Sequence, residues 1–393
     1  MTARSPRPRA LVAMIALLYG LGAIAAGGGG MAFAPLIGLA ALIMIPWRAL
    51  PRLIPQGGVA LALSAAAIMW LALSLAWSPS EGATDRFTRL MLTLTAGLIA
   101  FVGVQAAAPS RAASRFAAGC VALLAVLLAI EALFDMPLNR LALPDETTWK
   151  VMRNPGKGAA IFALFVWGAA VAAFSKPARA NAAAVVGGGC AVAFGLAFDM
   201  SAAALAALIG LAVWFVAAAA PRWTLRAVGA AIAAMIALAP LIAGQLDVAP
   251  LAAAPASWLD RVSIWQAVAT YIEAKPFIGY GFDASRTFTT PGLIDGESVR
   301  TIPLHPHNLG LQIWLEAGGV GAALAIAALM AIVARAASRG HRLQLRAAAA
   351  WLASWAIFAT FSFGAWQEWW IGAAAAGAVL IALAQPALDE TAI

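Results

Sequence analysis

The chain has 393 residues, of which 63% are hydrophobic and 11% charged, and its formal net charge is +8. It is too apolar for a soluble domain and too long for a single membrane span, so the composition predicts a membrane protein that crosses the bilayer many times. The positive charge does not indicate nucleic-acid binding, because the basic residues lie in short turns beside apolar segments, where membrane proteins place them.

Apolar segments follow one another along the whole chain, most of them near the length that a transmembrane helix needs. They are continuously apolar rather than alternating, which predicts α-helices and not the strands of a β-barrel. At roughly 20 residues per span, we predict about twelve spans, at residues 10–26, 31–47, 58–77, 88–108, 116–134, 158–175, 181–198, 201–220, 226–244, 308–334, 347–365 and 369–385.

Basic residues mark the N-terminal segment and alternate turns, which contain no acidic residue except in the C-terminal tail. They are Arg4, Arg7, Arg9, Arg48, Arg52, Arg111, Arg115, Lys176, Arg179, Arg222, Arg226, Arg335, Arg339, Arg342 and Arg346. Because positive turns stay in the cytoplasm, both termini are predicted to lie there and the other turns on the outer side. The first apolar run also resembles a secretory signal, but we interpret it as an uncleaved span.

The two longest turns, residues 135–158 and 245–307, fall on the outer side, and long loops are usually functional or disordered. The chain is therefore predicted to have three parts. Residues 1–244 contain about nine spans, residues 245–307 form a large outer loop with an amphipathic helix, and residues 308–393 contain about three spans and a cytoplasmic tail.

Within the outer loop, SWLDRVSIWQAVATYIEA is predicted to be a separate helix over residues 257–274. It should end before Lys275 and Pro276, because the residue before a proline disfavours the helical conformation. Arg261 and Trp265 lie four residues apart and therefore share one face of this helix.

The segment PFIGYGFDASRTF follows, in which Gly279 and Gly281 permit a tight turn. Arg286 comes after the turn, and Arg300 precedes the next span. Guanidinium groups suit bidentate contact with phosphate oxygens. Arg261, Arg286 and Arg300 are therefore candidate phosphate ligands if the two ends of the loop pack together.

The stretch HPHNLGLQIWLEAGGVG contains two of the three histidines, His305 and His307. A helix that begins near His307 would place Leu311, Trp314, Gly318 and Gly321 on the face of its imidazole. The two glycines would let a neighbouring helix approach closely. His305 is interpreted as a loop residue.

On an adjacent face of the same predicted helix, Asn308, Gln312 and Glu316 recur at steps of four. A polar stripe inside a membrane span costs free energy and therefore indicates a function. Glu316 is a candidate proton-relay acid or, equally, a packing residue whose carboxylate is satisfied by Gln312 or a partner helix.

Together, these features resemble the O-antigen ligases and the related O-antigen polymerases, a family of bacterial membrane glycosyltransferases. The resemblance rests on R-x3-W at Arg261 and Trp265, on P-x2-G-x-G at Pro276, Gly279 and Gly281, and on His307-Asn308 followed by nine residues and the G-x-x-G of Gly318 and Gly321. It is specific over residues 257–321. It implies an all-α fold resembling the GT-C type, with a periplasmic loop at the active site.

Family members transfer a glycan from undecaprenyl pyrophosphate to an acceptor hydroxyl on the periplasmic side of the inner membrane, without a nucleotide sugar, cofactor or metal. The resemblance implies that His307 accepts the proton of that hydroxyl, that Arg261 binds the pyrophosphate, and that Arg286 or Arg300 assists. Asn308 and Trp265 are expected to contribute to substrate binding.

The sequence departs from the family at one position. Many members carry a Ser-Arg pair at the outer end of a middle span, where the arginine is thought to hold the pyrophosphate, whereas here Ser201 is followed by Ala202. Either Arg153, Lys157 or Arg89 is expected to replace that arginine, or the pyrophosphate is held differently.

The preferred function is an O-antigen ligase that acts on lipid A-core. The alternatives are an O-antigen polymerase or a protein O-oligosaccharyltransferase of the same superfamily and, in another class, a transporter or flippase of an anionic glycolipid. A transporter predicts charged residues at mid-membrane in several spans, which offer almost none apart from Glu316. Trp366, Trp369 and Trp370 are interpreted mainly as an interfacial belt.

Overall fold

The computed structural model describes residues 8–46, 50–246, 256–288, 293–294, 297–298 and 302–384. Within these residues the regular structure is helical, apart from one antiparallel pair of two-residue strands, β1 (Leu293–Ile294) and β2 (Glu297–Ser298). Leu293 pairs with Ser298, and Ile294 pairs with Glu297. The prediction of an all-α class is confirmed.

The helices are α1 (Pro8–Gly27), α2 (Phe33–Met44), α3 (Leu50–Leu73), α4 (Ala83–Ala107), α5 (Arg111–Leu133), α6 (Pro137–Ala142), α7 (Thr148–Ala173), α8 (Pro177–Ala197), α9 (Ser201–Ala219), α10 (Pro221–Gln245), α11 (Ala256–Ala274), α12 (Leu309–Arg339), α13 (Arg342–Phe361) and α14 (Glu368–Leu383). Short 3-10 turns follow α3 at Ser74–Trp77 and precede β1 at Ala284–Thr287.

Nine helices in the described part of the chain are long and apolar enough to cross a membrane: α1, α3, α4, α5, α7, α8, α9, α10 and α12. The other three predicted spans are also helices, but α2 and α14 have only 12 and 16 residues. The third, α13, has 20 residues and begins with two arginines, Arg342 and Arg346. Length and composition thus support nine spans of the predicted twelve.

The helix α7 begins at Thr148, well before the predicted start near residue 158. The polar residues before its apolar part extend the helix instead of forming a loop, and they continue through Pro155. Arg153 and Lys157 therefore lie on a helix, not in the long outer loop to which the sequence assigned them.

The helix α7 is also the centre of the bundle, and most of its apolar residues are buried. It packs against α5, α8, α13 and α14. Its Trp167 is fully buried, stacks on Trp214 and donates a hydrogen bond to the hydroxyl of Ser354 at 2.9 Å. A helix that is apolar on every side is buried by neighbouring helices all round. Two of these neighbours are α13 and α14, and the connection between them forms part of the candidate site described below.

One end of the bundle, here called the loop-rich end, contains the connections at residues 78–82, 134–147, 275–288 and 362–367. These are the turns that the sequence predicts on the outer side. The loop helix α11 lies at this end and packs on α10 and α12. It ends at Ala274, before Lys275 and Pro276, as the sequence predicts.

Candidate active site

His307 lies at the loop-rich end, immediately before α12. Its φ of 55° is left-handed, and the side chain of Asn308 caps the helix by accepting the backbone N–H of Leu311 at 3.0 Å. The helix therefore begins at Leu309. The sequence predicted that the imidazole of His307 shares a helix face with Gly318. This prediction does not hold, because His307 lies before the first residue of the helix.

A main-chain carbonyl determines the tautomer of His307. Nδ1 lies 2.6 Å from the carbonyl oxygen of Ser362. A carbonyl oxygen can only accept, so Nδ1 carries the hydrogen and Nε2 of the neutral ring keeps its lone pair. Burial lowers the pKa of His307, the hydrogen bond to Ser362 raises it, and the charge of Arg261 lowers it, with a net decrease. The ring is thus a neutral proton acceptor.

His305 packs against His307, with 4.3 Å between the ring centres. Its Nδ1 accepts the backbone N–H of His307 at 3.2 Å, and its Nε2 faces the side-chain amide of Gln367 at 3.1 Å. Burial, His307 and Arg286 lower the pKa of His305 to about 3. His305 therefore stays neutral, and its hydrogen bond supports the left-handed backbone of His307. This contact is not evident from the sequence.

The R-x3-W motif of α11 lies against the histidines. The indole of Trp265 donates to the carbonyl oxygen of Pro306 at 2.8 Å, directly before His307 in the chain. Arg261 lies one turn earlier on the same helix, close enough for its charge to act on His307. Burial lowers the pKa of Arg261, and Asp260 raises it, with a net decrease. The motif thus brings a half-buried guanidinium group to the imidazole.

The two glycine motifs pair with each other through the backbone. Gly318 interrupts α12, with φ of 66° and ψ of −171°. At this break the loop donates from Tyr280 N to Leu315 O at 2.9 Å, and Gly319 N donates back to Pro276 O at 2.8 Å. Gly318 therefore accommodates a loop and not the neighbouring helix that its spacing indicated.

Glu316 is fully buried, and its carboxylate organises the loop after the glycine motif. It accepts the backbone N–H of Asp283 at 2.6 Å, the hydroxyl of Ser285 at 2.7 Å and the side-chain amide of Gln312 at 3.2 Å. The indole of Trp366 also donates to it. These contacts support the packing interpretation of Glu316.

Asp283 is held by Glu316 in a left-handed conformation, with φ of 63°, and joins two arginines. Its Oδ1 accepts from Nε of Arg286 at 2.9 Å, and its Oδ2 accepts from Nε of Arg86. Only 4% of the Asp283 side chain is exposed, against 24% for Arg86 and 34% for Arg286. The sequence favoured Arg89 over Arg86 as a phosphate ligand, because the contact of Arg86 with a residue 197 positions away has no local signal.

The connection between α13 and α14 and the first residues of α14, together called the 362–370 segment, touch several parts of the site. Two of its residues contact the histidines, as described above. The backbone N–H of Ala365 donates to Gln312 at 2.8 Å, and Trp366 donates to Glu316. Its sequence, SFGAWQEWW, is polar and aromatic and lies between two apolar runs. This change in composition was the one feature of the sequence that could have indicated a part of the site here.

Two of the cations proposed in place of the missing arginine, Arg89 and Lys157, contact the first turn of α14. Nε of Arg89 pairs with Glu368 at 2.9 Å. The ammonium group of Lys157 lies 5.6 Å from the ring centre of Trp369, and Arg153 packs on a tryptophan of its own helix. The 362–370 segment joins this group to the histidines. Arg300 lies outside the described residues.

An apolar cavity of about 530 Å³ opens among α3, α4, α12, α13 and α14. Small and aromatic side chains line it, including Trp70, Ala317 and Trp355. Towards the loop-rich end, its wall includes Leu90 and Trp366. Leu90 lies one turn beyond Arg86 on α4, so the arginines bridged by Asp283 lie near the part of the cavity that faces the loop-rich end.

Residues 183–326 match the family model described as O-Antigen ligase. Relatives named "Putative polysaccharide ligase" from Rickettsia typhi and Rickettsia prowazekii are each 36% identical to this chain over 146 residues, and one from Rickettsia bellii is 33% identical over 142 residues. The aligned part covers 34% of this chain and 35% of each of these relatives, so the chain spans about a third of their length. No solved structure matches the chain.

The matched region contains the R-x3-W helix, the paired glycine motifs and His307, which are the features that carry the resemblance in the sequence. The predicted resemblance to the O-antigen ligase family is thereby confirmed over residues 183–326.

Proposed function

We propose that the protein is an O-antigen ligase that transfers a polysaccharide from undecaprenyl pyrophosphate to lipid A-core, on the periplasmic face of the inner membrane and without a metal ion. The observation that carries the proposal is the neutral ring of His307, whose Nε2 is free of hydrogen beside the guanidinium group of Arg261. The match to the O-antigen ligase model supports glycosyl transfer as the class of reaction.

In the proposed reaction, the acceptor hydroxyl oxygen forms a bond to the anomeric carbon of the glycan, and the bond from that carbon to the pyrophosphate oxygen breaks. The hydroxyl proton passes to Nε2 of His307. The electron pair of the broken bond remains on the pyrophosphate, and Arg261 and Arg286 stabilise the added negative charge in a partly dry site.

The apolar cavity supports a lipid-linked donor. It lies among apolar helices long enough to cross a membrane, and its end lined by Leu90 and Trp366 is near the arginines at the loop-rich end. An isoprenoid chain could place its first units in this cavity with the pyrophosphate at the arginines, while the rest of the chain lies in the bilayer. A nucleotide sugar has no apolar tail that would require such a cavity.

The central test is transfer by the purified full chain in lipid nanodiscs, with lipid-linked polysaccharide as donor and lipid A-core as acceptor. His307→Ala should lower the transfer rate by at least about 100-fold, because general-base catalysis contributes 10² to 10⁴ in rate. His341→Ala is the matched control: this histidine is exposed at the start of α13 and should leave the rate unchanged.

Near wild-type transfer by a folded His307→Ala protein would reject His307 as the base. The donor supplied alone separates the polymerase alternative, since a polymerase lengthens the lipid-linked chain and a ligase leaves it unchanged. In the native host, deletion should leave lipid A-core without long chains and should cause lipid-linked polymer to accumulate, whereas loss of a polymerase leaves cores capped with single repeats.

A further inference from the structure

We infer that Arg86 and Arg286, bridged by the single carboxylate of Asp283 near the loop-rich end of the apolar cavity, form a binding site for the diphosphate of a prenyl-linked donor. The inference rests on the proposed function, which supplies a lipid diphosphate as substrate. It assigns to Arg86 the pyrophosphate-binding role of the family arginine that is absent at Ala202, a role for which the sequence suggested Arg89, Arg153 or Lys157.

The hydrogen bonds of the two arginines leave their outer edges available. Both use Nε on Asp283, and Arg86 also donates from Nη2 to the hydroxyl of Ser80 and to the carbonyl oxygen of Glu81. Among the described residues, none accepts a hydrogen bond from Nη1 of Arg86 or from the terminal nitrogens of Arg286. These nitrogens are the donors that a phosphate would use.

The charges at the exposed edge of the pair favour an anion. Arg86, Asp283 and Arg286 together carry a net charge of +1. The nearby Glu316 is fully buried, and its carboxyl group accepts hydrogen bonds from Ser285, Gln312 and Trp366. A diphosphate carries at least two negative charges, so it complements the pair. Because Arg86 and Arg286 are about a quarter to a third exposed, a ligand can reach them, yet their partial burial strengthens charge-assisted hydrogen bonds.

The position of the pair suits a lipid headgroup. Phe282, next to Asp283, packs edge-on against Phe87 with ring centres 5.5 Å apart, and lies 5.5 Å from the ring of Trp366. Trp366 and Leu90 both line the cavity. A molecule with its apolar tail in the cavity would therefore have its polar head at Arg86 and Arg286.

Arg86 and Arg286 are also preorganised by protein contacts. Glu316 accepts the backbone N–H of Asp283, and Ser80 donates to Asp283 Oδ2 at 3.1 Å, so both the backbone and the carboxylate of Asp283 are held by hydrogen bonds. Asp283 is accordingly a positioning residue, since it orients both guanidinium groups without reaching the ligand itself. Such preorganisation reduces the entropy that binding would otherwise cost.

The test measures the affinity of the full chain in nanodiscs for farnesyl diphosphate and farnesyl monophosphate. The wild type should bind the diphosphate about ten-fold more tightly, since the second phosphate adds charge-assisted hydrogen bonds. Arg86→Gln and Arg286→Gln should each weaken diphosphate binding by about ten-fold and remove most of this preference. The matched control is Arg140→Gln, another arginine at the loop-rich end, which pairs with Asp135 at 3.0 Å and should bind as the wild type does.

Melting temperatures of all variants identify any that fail to fold, and Arg86→Lys then provides a milder change that keeps the charge but loses the fork of donors. Unchanged diphosphate affinity in folded Arg86→Gln and Arg286→Gln proteins would overturn the inference, even where the wild type transfers glycan. If the wild type binds the diphosphate through these arginines but transfers no glycan, the binding site stands and the proposed function fails.

Discussion

The proton affinity of His307 results from neighbours that act in opposite directions. Burial and the charge of Arg261 disfavour the imidazolium form, while the Ser362 carbonyl favours it. The motifs in the sequence identify Arg261 and His307, because both belong to short patterns with fixed spacing. They do not identify Ser362, which acts through its main chain, or the pair of Arg86 and Asp283, which only the fold brings together.

A pH profile tests this balance. Proposed catalysis requires neutral His307, so activity should fall as the pH drops through its lowered pKa, with a midpoint below the ordinary value of about 6.5. Arg261→Gln removes a positive charge, which should raise the pKa of His307 and move the acid limb to higher pH. The measurement is kcat/KM against pH, normalised to the plateau so that weaker binding by the variant does not affect the midpoint.

In the same assay, Arg140→Gln should keep the wild-type midpoint. A midpoint for Arg261→Gln at or below the wild-type value would mean that the charge of Arg261 does not act on the group that titrates.

Among the elements, α12 departs most from its predicted form. The G-x-x-G spacing is compatible with a continuous helix that packs on another helix, and sequence periodicity cannot distinguish this from a helix broken at Gly318. The difference arises because the segment from Pro276 to Gly281 bonds to the backbone at the break. By contrast, the end of α11 was predictable, since Pro276 acts locally.

Gly318→Ala tests the break. A side chain at this φ and ψ is strained, which costs about 1–3 kcal/mol, and its Cβ would overlap the backbone of Phe277 and Ile278. We expect a clear loss of thermal stability in nanodiscs and a loss of transfer, because the loop also positions Asp283. Gly189→Ala is the control: its Cβ would meet nothing within 4 Å, and alanine favours a helix over glycine.

Equal melting temperatures for Gly318→Ala and Gly189→Ala would show that α12 does not need its break. A normal melting temperature together with lost transfer would assign the break to catalysis alone.

For the molecule as a whole, hydropathy predicts the helical class and the approximate position of every apolar segment. It does not predict the cavity, which forms where α3 and α4 meet α12, α13 and α14 from the other end of the chain. The same limit applies to the central position of α7, since nothing in an apolar run states how many neighbours will surround it.

Filling the cavity tests its proposed role in holding the donor. Ala378→Phe places a large side chain in the cavity wall and should raise KM several-fold for an undecaprenyl-linked donor, with little change in kcat, because the obstruction is remote from His307. Ala122→Phe adds the same side chain at an exposed position of α5 and should change neither constant. An unchanged KM in folded Ala378→Phe would argue that the isoprenoid chain lies elsewhere.

The bond from His307 to the carbonyl of Ser362 has a consequence for how this site would respond to variation. Every amino acid supplies a main-chain carbonyl, so position 362 can change its side chain and still present the same acceptor to Nδ1. A mutational scan would therefore record position 362 as tolerant while it determines which nitrogen of His307 is basic. The tautomer depends on the path of the main chain between α13 and α14. An insertion or deletion there would move the carbonyl away from Nδ1, whereas a substitution would not.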